Sequence, residues 1–348
     1  MKPVVAWMLL TIATAAAAFD AVTPGVGLRF PADTGAHPGH RIEWWYVTGW
    51  LDSPRGPMGF QVTFFRARNP DAEGRASRFA PAQLVFAHAA LSDPRAGRLL
   101  HADRTARAYP PLVEAKTGTT DVRLDDWRLV REPGAYRTHV EGEDFALDLA
   151  FEPTQPALLQ GDRGFSRKGP SLAQASYYYS EPHLRVEGKV RARGERLKVT
   201  GTAWLDHEWS SEVLAPGAVG WDWLGANLDD GGALMAFRIR GKDGATLFAT
   251  GTYRANGAAA PRTLDDVAFA PTRTWRSPRT GIAYPVAMTV TAAGRRWTLE
   301  PLMDDQELDA RASSGVLYWE GAVRLRADDG AAGRGYLELT GYADRVPF

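Results

Sequence analysis

Cysteine is absent from this 348-residue chain. No disulfide, thiolate metal site or lipid-modified N-terminal cysteine can therefore exist, and the fold must hold by burial alone. Net charge is absent as well, since Lys+Arg and Asp+Glu stand at 41 each. That balance removes the general electrostatic case for nucleic acid or an anionic membrane surface, so no nucleic-acid partner is expected. Long apolar runs are missing except at the start, MKPVVAWMLLTIATAAAAFD, where Lys2 precedes an apolar stretch from Val4 to about Ala18. Too short for a spanning helix and ending in small residues, it reads as a secretory signal peptide over residues 1–18. The expected location is periplasmic or secreted, with no transmembrane segment in the mature chain. Helical periodicity sustained over a dozen residues is also lacking.

What is present is a β pattern. Gly (35) and Pro (23) are dispersed between short runs rich in Val, Thr, Phe, Tyr and Trp, and period-two alternation marks Gly59–Arg68, His183–Leu205, Ala233–Arg254, Val286–Leu302 and Gly335–Ala343. Turns at Lys242-Asp243-Gly244 and Ala293-Gly294-Arg295 join strands into hairpins. Strands at this spacing close into barrels or sandwiches. The length favours two domains over one. Pro and Gly interrupt the pattern at SSEVLAPGAVG (Ser210–Gly220), which places a boundary between residues 19–213 and 214–348.

Beside that boundary, Thr202–Leu228 gathers four tryptophans, two aspartates, two glutamates and a histidine. In TAWLDHEWSS, alternation puts Trp204, Asp206 and Glu208 on one strand face and His207 and Trp209 on the other. In HRIEWWYVTGWL, Glu43 and Trp45 share one face and Trp44 and Tyr46 the opposite one. Each carboxylate has two readings: a proton donor with raised pKa in an aromatic-lined space, or an ion-paired staple, with Arg41 or Arg66 as partner for Glu43. Asp222, between Trp221 and Trp223, can bind or can cap backbone amides. His88 is a core histidine or a ligand contact. Of Tyr177, Tyr178 and Tyr179, at least one ring must face the cavity side. The helical H-E-x-x-H metal motif, the G-x-S-x-G nucleophile elbow and phosphate-cradling glycine loops are all missing. No metal or cofactor is expected, and His37, His40, His88 and His207 meet only if the fold brings them together.

Together IEWWYVTGWL, GFQVTFFR, AHAALSD, FSRKG…ASYYYSEPHLRVEG, GTAWLDHEWSS and GWDWLGANL resemble the carotenoid 1,2-hydratase/AttH-type family of lipocalin-like proteins, from about His37 to the C-terminus. The resemblance implies an all-β fold of two lipocalin-like β-barrels packed together, with an apolar pocket near the aromatic-acid motifs. It also implies cofactor-independent addition of water to isoprenoid-like substrates. His207 and Trp209 match the family's histidine-x-tryptophan pattern, whereas Gly231–Arg240 lacks the tyrosine and aspartate a hydratase brings there. The resulting expectation is a bulky apolar ligand, with Asp206, His207 and Glu208 as catalytic residues and Glu43, Trp45, Tyr46, His88, Tyr178, Trp209, Trp221, Asp222 and Trp223 as binding residues. Asp206 or Glu208 would supply the proton and His207 would hold the attacking water. The rival reading is a carrier of lipids or other hydrophobic ligands in the cell envelope.

Overall fold

A computed structural model describes residues 19–346, apart from 73–74, 76–79, 213 and 257–259. The leader expected over residues 1–18 lies outside the described residues. Among these, regular structure is β-strand with three short 3-10 turns and no α-helix, and no helix is long and apolar enough to cross a membrane.

The strands are β1 Ile42–Ser53, β2 Gly56–Arg68, β3 Gln83–Ser92, β4 Leu100–Arg107, β5 Val113–Ala115, β6 Asp121–Leu124, β7 Trp127–Glu132, β8 Ala135–Glu141, β9 Phe145–Glu152, β10 Leu158–Leu159, β11 Phe165–Arg167, β12 Ala175–Ala192 and β13 Glu195–Glu212. After these come β14 Ala218–Leu228, β15 Ala233–Gly241, β16 Thr246–Arg254, β17 Arg262–Leu264, β18 Ala268–Arg276, β19 Ala283–Ala292, β20 Arg295–Pro301, β21 Glu307–Ala310, β22 Val316–Ala327 and β23 Ala332–Leu339. One sheet takes the order β4-β3-β2-β1-β13-β12-β9-β8-β7-β6-β5, with β10 and β11 on β12. The other runs β17-β16-β15-β14-β23-β22-β20-β19-β18, with β21 on β22. Each sheet curls around its own core, the arrangement expected of two lipocalin-like barrels. The first sheet ends at Glu212 and the second begins at Ala218. The turns at residues 242–244 and 293–295 close the β15–β16 and β19–β20 hairpins.

Alternation explains which residues fill which space. Trp45, Val47 and Leu51 of β1 join Ala203, Leu205 and Trp209 of β13 inside the first barrel. Tyr46, Trp50 and Trp204 point outward and meet Trp223, Met235, Phe237 and Tyr336 of the second sheet. A bulge in β12 between Glu181 and Leu184, with His183 at φ 54°, switches the phase of that strand. Tyr177 and Tyr179 point inward before it, and Leu184 and Val186 after it, so one extra residue keeps a long strand apolar-side-in. Each barrel interior holds its own cluster of buried side chains, and a cavity lies between the sheets.

Candidate functional site

Between the sheets is a cavity of about 80 Å³, lined by Trp44, Tyr46, Phe65, Trp221, Trp223, Phe237 and Tyr318 and by five ionisable groups: Lys168, Asp206, Glu208, Glu320 and Glu338. It is large enough for several waters. Strand β13 contributes Asp206 and Glu208, β22 contributes Glu320 and β23 contributes Glu338. The last two are direct cross-strand neighbours; Asp206, Glu208 and Glu320 are buried and Glu338 is partly buried.

One lysine cannot balance four carboxylates in so confined a space, so protons must make up part of the difference. Burial raises Glu320 well above the usual glutamate range. The charge of Glu338 adds to this, and hydrogen bonds from Tyr46 and Tyr318 partly offset it. Glu338 is raised for the same first reason, helped by the charges of Asp206 and Glu208 and opposed by a bond from Trp221. Tyr46 Oη donates to Glu320 Oε2 over 2.9 Å and Trp221 Nε1 to Glu338 Oε2 over 2.9 Å. Lys168 Nζ lies 2.8 Å from Glu208 Oε1 and over the ring of Phe237. Asp206 is pushed up to about 7 by burial, against bonds from Ser180, Tyr178 and Trp204. Because Trp223 Nε1 donates to Tyr178 Oη over 3.1 Å, the Tyr178 proton points to Asp206 Oδ2, 2.7 Å away. Asp206 thus ties Tyr178, Ser180 and Trp204 together behind the cavity wall.

The opposite face of β13 builds a different cluster inside the first barrel. His207 Nε2 and His37 Nδ1 each lie 2.8 Å from Glu43 Oε1. The other oxygen accepts from Arg66 Nε at 3.0 Å and the His37 amide at 2.8 Å. Burial acts to raise the Glu43 pKa, but the His207 and His37 bonds and the charges of His207 and Arg66 hold it well below the usual carboxylate range. Desolvation lowers the pKa of His207 in spite of Glu43. Trp209 stacks on His37 at 3.8 Å between centroids and Trp45 on His207 at 4.6 Å. His37, Glu43 and His207 are also arranged as a metal could be held.

The residues expected to share one ligand space are thereby divided. Asp206, Glu208, Tyr46, Tyr178, Trp221 and Trp223 face the inter-sheet region, whereas His207, Glu43, Trp45 and Trp209 face the barrel interior. His207 cannot hold a water for Asp206 or Glu208, because adjacent strand residues project to opposite sides of the sheet. Trp44 takes the place expected for Trp45. Asp222 is not among the residues lining the cavity; its oxygens bind Arg238 Nε and Arg240 Nε at 2.7 and 2.8 Å. His88 sits behind the wall, with Nδ1 2.9 Å from Tyr318 Oη. Among the four histidines singled out, His37, His40 and His207 do assemble. Sequence reading passed over Glu320, Glu338 and Lys168. The signal for the first two was a glutamate in the apolar phase of LYWEGAV and GYLELTGY.

The AttH-like family pattern matches residues 21–342. The crystal structure of an AttH protein from Nitrosomonas europaea is similar at 57% identity and TM-score 0.87, over 93% of this chain and 100% of that one. Kievitone hydratase from Nectria haematococca is similar in fold, with TM-score 0.70 and 16% identity over 94% of this chain and 96% of that one. CghA follows at TM-score 0.55 and 12% identity, over 93% and 96%. A search among curated proteins gives no significant match. With the pattern running through both barrels and a relative so similar along its whole length, this chain belongs to the AttH-like family.

Proposed function

We propose that the protein is a cofactor-independent enzyme of the hydratase or isomerase type, acting on a bulky apolar, isoprenoid-like substrate in the inter-sheet cavity. The observation that carries this reading is the set of four carboxyl groups, three buried and one partly buried, around an indole- and phenol-lined space with a single lysine. The fold shared with a protein named kievitone hydratase supports the reaction type.

The Glu320–Glu338 pair retains a proton and gives it to an alkene carbon of the substrate. The cation formed at the neighbouring carbon is met by the π faces of Trp44, Trp221 and Trp223. Glu208, paired with Lys168, takes a proton from the attacking water as its oxygen bonds to that carbon. Loss of a proton from an adjacent carbon instead of water attack gives isomerisation. Tyr46 and Tyr318 hold Glu320 in position. Export through the 1–18 leader belongs to the same reading and is supported by the sequence; N-terminal sequencing of the mature protein should begin near Phe19.

The test is incubation with apolar cell-envelope extract in heavy-oxygen or heavy water, followed by mass spectrometry of products. Wild-type protein should incorporate the label and Glu320→Gln should not, while still retaining ligand. Ligand retention by both proteins with no label in either would favour the carrier reading, for which the aromatic lining alone suffices.

A further inference from the structure

On the far side of β13, hydrogen-bond complementarity raises a question independent of the inter-sheet chemistry. Asp33 Oδ1 lies 3.5 Å from His37 Nε2, on the ring's outer side. Glu43 Oε1 lies 2.8 Å from His37 Nδ1, on the inner side. A neutral imidazole has one donor and one acceptor nitrogen, and a carboxylate faces each. With the proton on Nδ1 the ring donates to Glu43; with the proton on Nε2, toward Asp33, the Nδ1 lone pair points at an oxygen that only accepts, and a cation can stand between them.

His207 poses the complementary case. With its Nδ1 proton turned to Tyr179 Oη at 3.3 Å, Nε2 presents a lone pair to the same Glu43 oxygen. Three lone pairs then converge from two histidines and a glutamate, all three donor atoms lying within 4.8 Å of one another. A metal about 2.0–2.2 Å from two atoms 2.8 Å apart sees them roughly 80–90° apart, an angle divalent transition ions accept. The outer shell is also in place. Asp33 and Tyr179 stand where they can accept the outer ring protons of the metal-bound tautomers, Arg66 and the His37 amide hold the remaining Glu43 oxygen, and Trp209 and Trp45 fix the ring planes. Such outer partners are what metal-ligating histidines carry. A further observation is His40, only 8% exposed, whose ring packs edge-on 6.3 Å from that of His37. Neither of its ring nitrogens has a hydrogen-bond partner. A buried imidazole left so calls for a ligand, and a metal-bound water or anion would give it one.

We propose that His37, Glu43 and His207 form a binding site for a divalent transition metal, with zinc the best match to a two-histidine, one-carboxylate set. The site goes beyond the proposed catalysis. It would fasten the segment around Asp33–His40 over the first barrel, and the His37 side chain, 20% exposed, leaves a path for entry. Mg²⁺ and Ca²⁺ are disfavoured by the imidazoles.

The experiment uses full-length mature protein stripped with chelator, then titrated separately with zinc chloride and cobalt chloride. Expected are one equivalent bound by elemental analysis, visible cobalt absorption bands, and a rise in thermal midpoint with zinc. His37→Gln, at a partly exposed position where the fold should survive, should abolish the cobalt bands. Asp33→Ala should weaken zinc by roughly 10- to 100-fold through loss of the outer acceptor. His88→Gln, remote from the cluster, should bind as wild type. Absence of stoichiometric binding overturns the proposal, as does binding that His37→Gln leaves unchanged. Nitrogen NMR showing a doubly protonated His37 ring that persists in saturating zinc would do the same.

Discussion

At the scale of single residues, the inter-sheet cavity concentrates groups whose proton affinity differs between folded and unfolded chain. Glu320 and Glu338 are both raised by burial. The folded protein therefore holds protons that the unfolded chain begins to release near the ordinary glutamate value of about 4.3. A raised carboxyl contributes stability that is complete below the unfolded value and is lost as pH rises through the folded one. Glu338→Gln removes that loss. In denaturant titrations it should be more stable than wild type at about pH 8, with the difference shrinking toward about pH 4. Equal shifts at both ends would count against a protonated pair. For turnover, Glu320→Gln should cost about 10²-fold or more in rate, as loss of a general acid does, with ligand retained. Asp206 is different in kind. Asp206→Ala strands the donors of Tyr178, Ser180 and Trp204 and should cost roughly 2–4 kcal/mol in urea unfolding. Asp222→Ala leaves Arg238 and Arg240 buried without their carboxylate and should cost about 3–5 kcal/mol.

At the scale of elements, the strand faces were legible and their destinations were not. Alternation sorts Asp206 and Glu208 from His207, and Glu43 from Tyr46, because a strand has a period of two whatever its surroundings. What lies beyond each face depends on strands far away in sequence. Nothing near Glu43 announces that Arg66, rather than Arg41, will reach it, or that Glu320 and Glu338 will complete a cavity begun by β13. Alternation requires at least one of the three tyrosines to face the cavity side, and it is Tyr178, with Tyr177 and Tyr179 facing the barrel interior. Close pairing of β1 with β13 depends on Gly49. A Cβ there would stand 2.5 Å from the carbonyl oxygen of Thr202 and 2.9 Å from Ala203 Cα. Gly49→Ala should therefore destabilise by roughly 1–3 kcal/mol, the range for forced overpacking, measured as a lowered denaturation midpoint.

At the scale of the whole molecule, the all-β fold was readable from composition, turn residues and the absence of helical patterning. The packed barrel interiors were not, since an alternating pattern looks the same around a hollow or a filled centre. The two sheets share an apolar cluster that includes Trp50, Trp204, Trp223 and Tyr336. They also share hydrogen bonds such as Trp50 Nε1 to Gly335 O and Asn227 Nδ2 to Ala203 O. Each barrel therefore completes the other's buried surface. Calorimetry should show one cooperative transition, and two separated peaks would contradict this mutual dependence.

Strand β13 is a two-sided ribbon with carboxyl groups on one side and an imidazole on the other, and this restricts how the protein can change. Deleting or inserting a single amino acid upstream of Asp206 on that ribbon would turn every side chain over. The acids would enter the sealed drum of the first barrel and the imidazole would enter the cleft, so both centres would be lost in one step. Length variation in relatives should accordingly be confined to the hairpin at Arg193-Gly194 and to the crossing between the barrels, where a change of chain length leaves that parity intact.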